Sequence, residues 1–284
     1  MEPIAGIDHV IVGVRNLEDA RETWRRLGFT VSPRGRHIDQ PTGNYCVMFA
    51  ADYIELLGIA DAAAAAAHRL GDFLKWREGL MGAAFAPFGG AEQAHAALFE
   101  RGLHPSVPRP LSRAIELSEG TVLPRFSLVS LPGDETPGLD CFLCSHLTPE
   151  LMRRPEWLTH ANGATRLNAV YVLVENTAPL LPAYDRLFGI GQVTTTDAVA
   201  AVHVGRHSLF FSTPDDFETM HPSVTLDPGF PLPGIVALEL GVDRREDTLA
   251  YLSAHQIAFD EMPDGSLTVP AREASGAMLF LREG

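Results

Sequence analysis

Apolar positions along the chain switch between two periods, and the switches come in a fixed order. IDHVIVGV (7–14) is a nearly continuous apolar run rich in β-branched residues, the pattern of a buried strand. In the next stretch, LEDARETWRRLG, Leu17, Ala20, Trp24 and Leu27 recur at helical spacing, and Gly28 stands where a helix C-terminal cap is expected. FTVSP then reads as a second strand stopped by Pro33, with NYCVMFA and YIELLGIA as a third and a fourth. The predicted unit is strand, helix, three strands.

The unit recurs. GAAFAPFG, the helical AEQAHAALFERGL and the runs RFSLVSL and DCFLCSH make a second pass. LNAVYVLV, APLLPAYDRLFG, GQVTTT, AAVHVG and SLFFST make a third, and GIVALELGV, EDTLAYLSAHQI, SLTVPA and GAMLFLRE a fourth. The modules begin near residues 7, 82, 167 and 234. A repeated unit of this kind buries its apolar face only against a neighbour. The prediction is therefore an α+β fold of four βαβββ modules in two pairs, each pair curving one sheet around a cleft. Residues 1–150 form the first paired-module domain, 151–164 a linker (the stretch 148–164 holds two prolines, Pro149 and Pro155), and 165–284 a second, degenerate domain. The alanine run at 62–67 is expected to begin a helix connecting modules 1 and 2. Strand–helix alternation also describes dinucleotide-binding folds, but three consecutive strands follow the first helix here and no GxGxxG follows the first strand.

Composition narrows the function. The formal charge is −14 with no basic run, which argues against nucleic acid and anionic membranes as partners. With 46% hydrophobic residues, a mean hydropathy of +0.04 and no apolar run of membrane-spanning length, a globular protein is expected. The opening MEPIAGID lacks the features of a secretory signal, and three cysteines, an odd number, argue against a disulfide framework, so a reducing cytoplasm is the expected compartment. The expected partner is a small molecule, and a homodimer is compatible with the pattern.

Within this order, particular residues carry a family likeness. The opening strand holds an internal His9; the helix ends RRLGF; Thr42-Gly43-Asn44 precedes the third strand's apolar run; Tyr53-Ile54-Glu55-Leu56 opens the fourth; and Pro155-Glu156-Trp157 precedes His160-Ala161-Asn162-Gly163-Ala164. The chain in this respect resembles the vicinal oxygen chelate superfamily, and within it the glyoxalase-like branch, over residues 5 to about 170. The resemblance implies paired βαβββ modules and a divalent metal held in the cleft by first-strand and last-strand side chains. It covers isomerases, ring-cleaving dioxygenases, epimerases and metal-free drug-binding proteins, so it does not by itself select a chemistry.

In the implied ligand slots stand His9 and Glu55, with Glu55 also the candidate catalytic carboxylate. Nitrogen and oxygen ligands suit Zn, Fe, Mn or Ni. Strand alternation places His9 on one face with Ile7, Ile11 and Gly13. The plain alternative is that the two polar groups simply bond each other or water in a damp cleft. In module 2 the His9 slot maps to Ala83, so the second histidine of a glyoxalase-I-type site is missing, as is the His, His, Glu set of the ring-cleaving dioxygenases. His146 is the candidate third ligand, with Asn44, Cys144 and His160 as pocket candidates. Cys141 and Cys144 form a lone CxxC, a weak metal signal, and read with Cys46 as small core residues. Arg34, Arg36 and His37 either meet an acidic substrate at the cleft mouth or form a solvated loop; Trp76, Phe85, Phe126 and Phe142 either line a pocket or fill a core. In the second half the His9 slots hold Ala169 or Val170 and Ala237, and the final strands carry Phe and Leu, so this half is expected to act as a structural partner, lid or apolar wall.

Two functions follow. One is a metal-dependent isomerase- or lyase-type enzyme acting on a small substrate with vicinal oxygens through an enolate-like intermediate. The other is a metal-free protein that binds or sequesters a small molecule, as bleomycin-resistance proteins do.

Overall fold

The computed structural model describes residues 2–61, 63 and 68–284. Most of the alanine run at 62–67 lies outside these, so the helix expected to begin there is not described; a helix α2 covers Arg69–Trp76. Module 1 is β1 (Ile4–Gly13), α1 (Leu17–Arg26), β2 (Gly35–His37), β3 (Thr42–Met48) and β4 (Tyr53–Ile59). Module 2 is β5 (Gly79–Pro87), α3 (Ala91–Glu100), β6 (Arg109–Leu117), a short β7 (Gly120–Val122), β8 (Arg125–Ser130) and β9 (Cys141–His146). Module 3 is β10 (Ala164–Leu173), α4 (Leu180–Phe188), β11 (Val193–Thr195), β12 (Val199–Val204) and β13 (His207–Ser212), followed by a helix α5 (Pro214–Met220). Module 4 is β14 (Gly234–Val242), α6 (Arg245–Ala254), β15 (Asp260–Glu261), β16 (Leu267–Val269) and β17 (Met278–Glu283).

The helices start where local chemistry stops the strands. At the head of α1, Asn16 accepts from the backbone N–H groups of Glu18 and Asp19, satisfying donors that the helix itself leaves open. Glu18 and Asp19 then face the positive end of the helix dipole and Arg25 and Arg26 the negative end. Leu17, Ala20 and Trp24 form its buried face. They join Leu98 of α3, Tyr184 and Leu187 of α4 and Leu252 of α6 in one apolar core that runs behind both sheets.

The two module pairs give two sheets. Modules 1 and 2 form nine strands in the order β2-β3-β4-β1-β5-β9-β8-β6-β7, and β2 also pairs with β6. That extra pairing, Gly35 with Ile115, Arg36 with Ala114 and His37 with Arg113, closes eight strands into a barrel around a hollow. Modules 3 and 4 form eight strands, β11-β12-β13-β10-β14-β17-β16-β15, with no pairing between the two ends among the described residues.

Two expectations about strands change. FTVSP is not a strand: Phe29 N–H still bonds Trp24 of the helix end, Ser32 N–H makes one bond to Cys46, and Pro33 has no N–H to give, so the strand starts at Gly35. The sequence reading also passes over β6. Its alternation of Leu111, Arg113, Ile115 and Leu117 is a strand signal interrupted by a charge at an inward position.

The segment between the sheets is packed rather than extended. Met152, Trp157, His160 and Asn162 are buried. Asn162 donates to Leu27 O at the end of α1 and its own carbonyl accepts from Thr248 of α6, which straps one half to the other. A second tie runs through Asp52 in the β3–β4 turn: it accepts from Leu167 N–H (2.9 Å) and from His207 Nε2 (3.2 Å), while His207 Nδ1 accepts from Ile7 N–H (3.0 Å). Gly6 makes this approach feasible, since a Cβ there would lie 3.0 Å from His207 Nδ1.

Candidate metal centre and cavity

The barrel encloses a cavity of about 540 Å³, within the range of small-molecule sites. His9, His37, Tyr53, Glu55, Arg113 and Cys144 are among its lining residues. What aims them inward is an irregularity in β1. Against β5, Ile7 pairs with Phe85 and His9 with Ala84, so Asp8 is the extra residue of a β-bulge. The bulge overturns the expected face assignment. Ile7 joins Val10 and Val12 in the core behind the sheet, while His9 and Ile11 face the hollow. Asp8 stays close enough for its Oδ2 to contact His9 Nδ1 at 2.7 Å.

That contact sets the chemistry of His9. With Nδ1–H donated to Asp8, Nε2 is the nitrogen turned to the cavity, and it faces Glu55 Oε2 at 3.7 Å. Tyr53 stacks on the His9 ring at 4.5 Å and fixes its plane. Glu55 is held by its other oxygen: Asn44 Nδ2 donates to Oε1, His37 Nε2 lies 3.7 Å from it and Arg113 Nη1 3.8 Å. Burial by itself would raise the Glu55 carboxyl; the neighbouring His9, His37 and Arg113 and the Asn44 bond outweigh it and hold the group below its ordinary value. Asp8 follows the same logic: burial pulls upward, but His146 and His9 bring it well below the usual carboxylate range. Burial pushes His37 down to about 4, so its ring is uncharged.

The expected ligands do not all meet at one point. His9 and Glu55 converge on the cavity. His146 lies on the other flank of Asp8, with its Nε2 3.1 Å from the same Oδ2 that contacts His9 Nδ1. Among the described residues, the set of three ligand atoms that all lie within 4.8 Å of one another is that of Asp8, Cys144 and His146, without His9 or Glu55. Burial drives the Cys144 thiol well above its ordinary value, and Cys46 and Cys141 to about 11 and about 12, so none of the three is poised as a thiolate. Asn44 does not line the cavity; it positions Glu55. His160 is also absent from the lining. Its Nδ1 accepts from Thr30 N–H and its Nε2 donates to Met48 O, which makes it a buried brace between strap and barrel. Of the aromatic candidates, Phe126 and Phe142 border the cavity, Phe85 belongs to the core behind the sheet, and Trp76 is exposed. Arg34 pairs with Glu18 and Arg36 faces solvent, whereas His37 is buried.

The His9 and Glu55 donors suit a divalent ion. One nitrogen and one oxygen stand 3.7 Å apart at the cavity wall, and a carboxylate holds the imidazole from behind. Asp8 and Arg113 are the site residues that the sequence reading missed. An Asp next to a strand His reads as pointing to the opposite face, and only the bulge reverses that.

The sequence comparison agrees with this architecture: residues 7–188 match the glyoxalase-like domain family. The chain belongs to that family. No curated protein matches the sequence significantly. Solved structures of the same fold include a hypothetical protein from Staphylococcus aureus, 12% identical with a TM-score of 0.68, which covers 98% of this chain and 99% of its own. They also include a mutant of the 4-hydroxymandelate synthase from Streptomyces coelicolor, 11% identical with a TM-score of 0.61, covering 99% of this chain and 93% of that one. A xylose isomerase-like TIM barrel/4-hydroxyphenylpyruvate dioxygenase fusion protein matches with 12% identity and a TM-score of 0.56; it covers 99% of this chain, which spans 49% of the fusion. Together with the family match, these solved structures show the vicinal oxygen chelate fold for the chain, and at such identities they show only the fold.

Proposed function

We propose that this glyoxalase-like protein is a metal-dependent enzyme of isomerase or lyase type acting on a small substrate with vicinal oxygens. The observation that supports the reading is the 3.7 Å approach of His9 Nε2 to Glu55 Oε2 at the cavity wall, with His9 Nδ1 taken by Asp8. A divalent ion bound there supplies Lewis-acid polarisation of neighbouring substrate oxygens. The chain's own groups do the rest. Asp8 fixes the His9 tautomer, Asn44 orients Glu55, and Tyr53 and Phe142 pack on the imidazole and limit water. Proton movement falls to Glu55 Oε1 and the uncharged His37, whose Nε2 is 3.7 Å away.

A second reading has its own observation. Arg113 lies 3.8 Å from Glu55 and Arg153 3.8 Å from Asp8, so each buried carboxylate already has a protein cation nearby. That balance favours a metal-free binding protein. Elemental analysis of protein purified without chelators, followed by calorimetric titration with Zn²⁺, Mn²⁺, Fe²⁺ and Ni²⁺, separates the two. The enzyme reading expects one equivalent of ion, lost in the His9→Ala, Glu55→Ala double variant. Absence of binding by all four ions sinks it.

A further inference from the structure

The metal reading leaves Arg113 without a task. Its side chain is 2% exposed and borders the cavity from β6, directly across from His37 of β2. A buried guanidinium is costly unless its five N–H bonds find acceptors. Here the acceptors are poor. Nη1 faces Cys46 Sγ at 3.4 Å and Nη2 faces Met152 Sδ at 2.6 Å, both weak sulfur acceptors. Nε has no hydrogen-bond partner among the described residues. Glu55 is the one carboxylate within 4 Å among the described residues, at 3.8 Å, and the oxygen it turns toward Arg113 is already bonded by Asn44.

The position is nonetheless built. Phe126 lies under the guanidinium at 5.5 Å. Gly35 leaves room for it, because a Cβ there would collide with Asn44 and with the Arg113 stem. Of the other arginines at the barrel, Arg69 pairs with Asp140, Arg153 donates to the carbonyls of Phe49 and Ala51, and Arg109 is exposed at the cavity mouth. The cavity wall is polar and apolar in about equal measure, and Ile11, Leu57, Leu111, Leu128 and Phe142 belong to its apolar part.

We infer that Arg113 anchors the carboxylate of the protein's ligand, a small organic acid with an apolar body. Carboxylate oxygens supply the strong acceptors that sulfur does not, in charge-assisted bonds to a fork that suits their geometry. The apolar part of the wall takes the remainder of the molecule. This rests on the cavity being the ligand site, as proposed above, and not on the presence of an ion.

The test is a calorimetric comparison of hexanoate with hexanamide, which share a shape and differ in charge, on the full chain with and without added Zn²⁺. The wild type is expected to bind the acid roughly tenfold tighter or better, the scale of one charge-assisted contact. Arg113→Met should erase the preference and Arg113→Lys should keep only part of it. If Arg113→Met does not fold, the wild-type and Arg113→Lys titrations still decide. Equal affinity for acid and amide, no measurable binding of either, or a preference removed by Arg109→Gln at the cavity mouth but kept by Arg113→Lys, each overturns the inference. A preference that persists while Zn²⁺ fails to bind supports the carboxylate anchor and counts against the metal reading. Stoichiometric Zn²⁺ with no preference for the acid does the reverse.

Discussion

The two halves are built on one plan and differ in what fills the concave face. In β1 the pairing with β5 slips between Ile4 and Gly6, Ile7 and His9, and Ile11 and Val12. In β10 the pairing with β14 slips at the matching places, between Ala164 and Arg166, Leu167 and Ala169, and Tyr171 and Val172. The bulge that places Asp8 and His9 therefore has a counterpart, but it carries Asn168 and Ala169. Glu55 lies across from Ile11, and Phe210 takes the equivalent place across from Tyr171. The backbone device survives in both halves; the donor set stands in one.

The faces diverge accordingly. The first half closes through β2 and β6 and keeps a hollow. The second stays open, and its concave face is filled by Phe217 of α5 together with Val224 and Phe280. What remains there is a polar cleft, in a half expected from sequence to act as a structural partner, a lid or an apolar wall. Glu239 accepts from Asn168 (3.3 Å), Tyr171 (3.1 Å) and Arg282 (3.2 Å), with Arg166 and Arg206 at the margin. A duplicated scaffold can thus retain its bends while one copy holds a cavity and the other a filled core.

Three measurements can break or sharpen this comparison. The largest effect is expected from Phe217→Ala. Its ring is fully buried, and truncation should cost about 3–5 kcal/mol in a urea unfolding experiment. Phe142→Ala, whose ring borders the hollow, should cost less than half of that; equal losses would mean the first cavity is no emptier than the second. Asp8→Asn comes next. It keeps the shape and removes the charge behind His9, so ion affinity should fall about 10–100-fold, the usual effect of an outer-shell partner. The mirror change, Asn168→Asp, should leave ion binding unaltered, and a new ion site there would show that the halves differ less than their donor sets suggest. The smallest effect concerns pH. Burial pushes His160 down from 6.5 to about 4, against a raising contribution from its bond to Met48 O. Between those values the unfolded chain binds the proton and the folded chain does not, so this contribution to stability is full above 6.5 and is lost as pH falls toward 4. His160→Gln should flatten the pH dependence of the unfolding midpoint in that window by on the order of 1 kcal/mol; an unchanged slope would mean that the strap does not hold the ring neutral.

Apart from β2 and β6, most of the order of strands and helices was legible in the sequence, as were the fourfold repeat and the positions of His9 and Glu55. Periodicity is a local property: three or four neighbouring residues suffice to show whether a segment alternates or winds. What tertiary structure decided was which side chains meet. The bulge that turns Asp8 toward His9 exists only because β5 pairs on one side of β1. The pairing of β2 with β6 brings His37 and Arg113 together from strands in different modules. The displacement of His146 to the far flank of Asp8 and the use of His160 as a brace depend on contacts between segments more than 100 residues apart. Such contacts are set by closure of the barrel and burial of the strap, and no local pattern of apolar and polar residues records them.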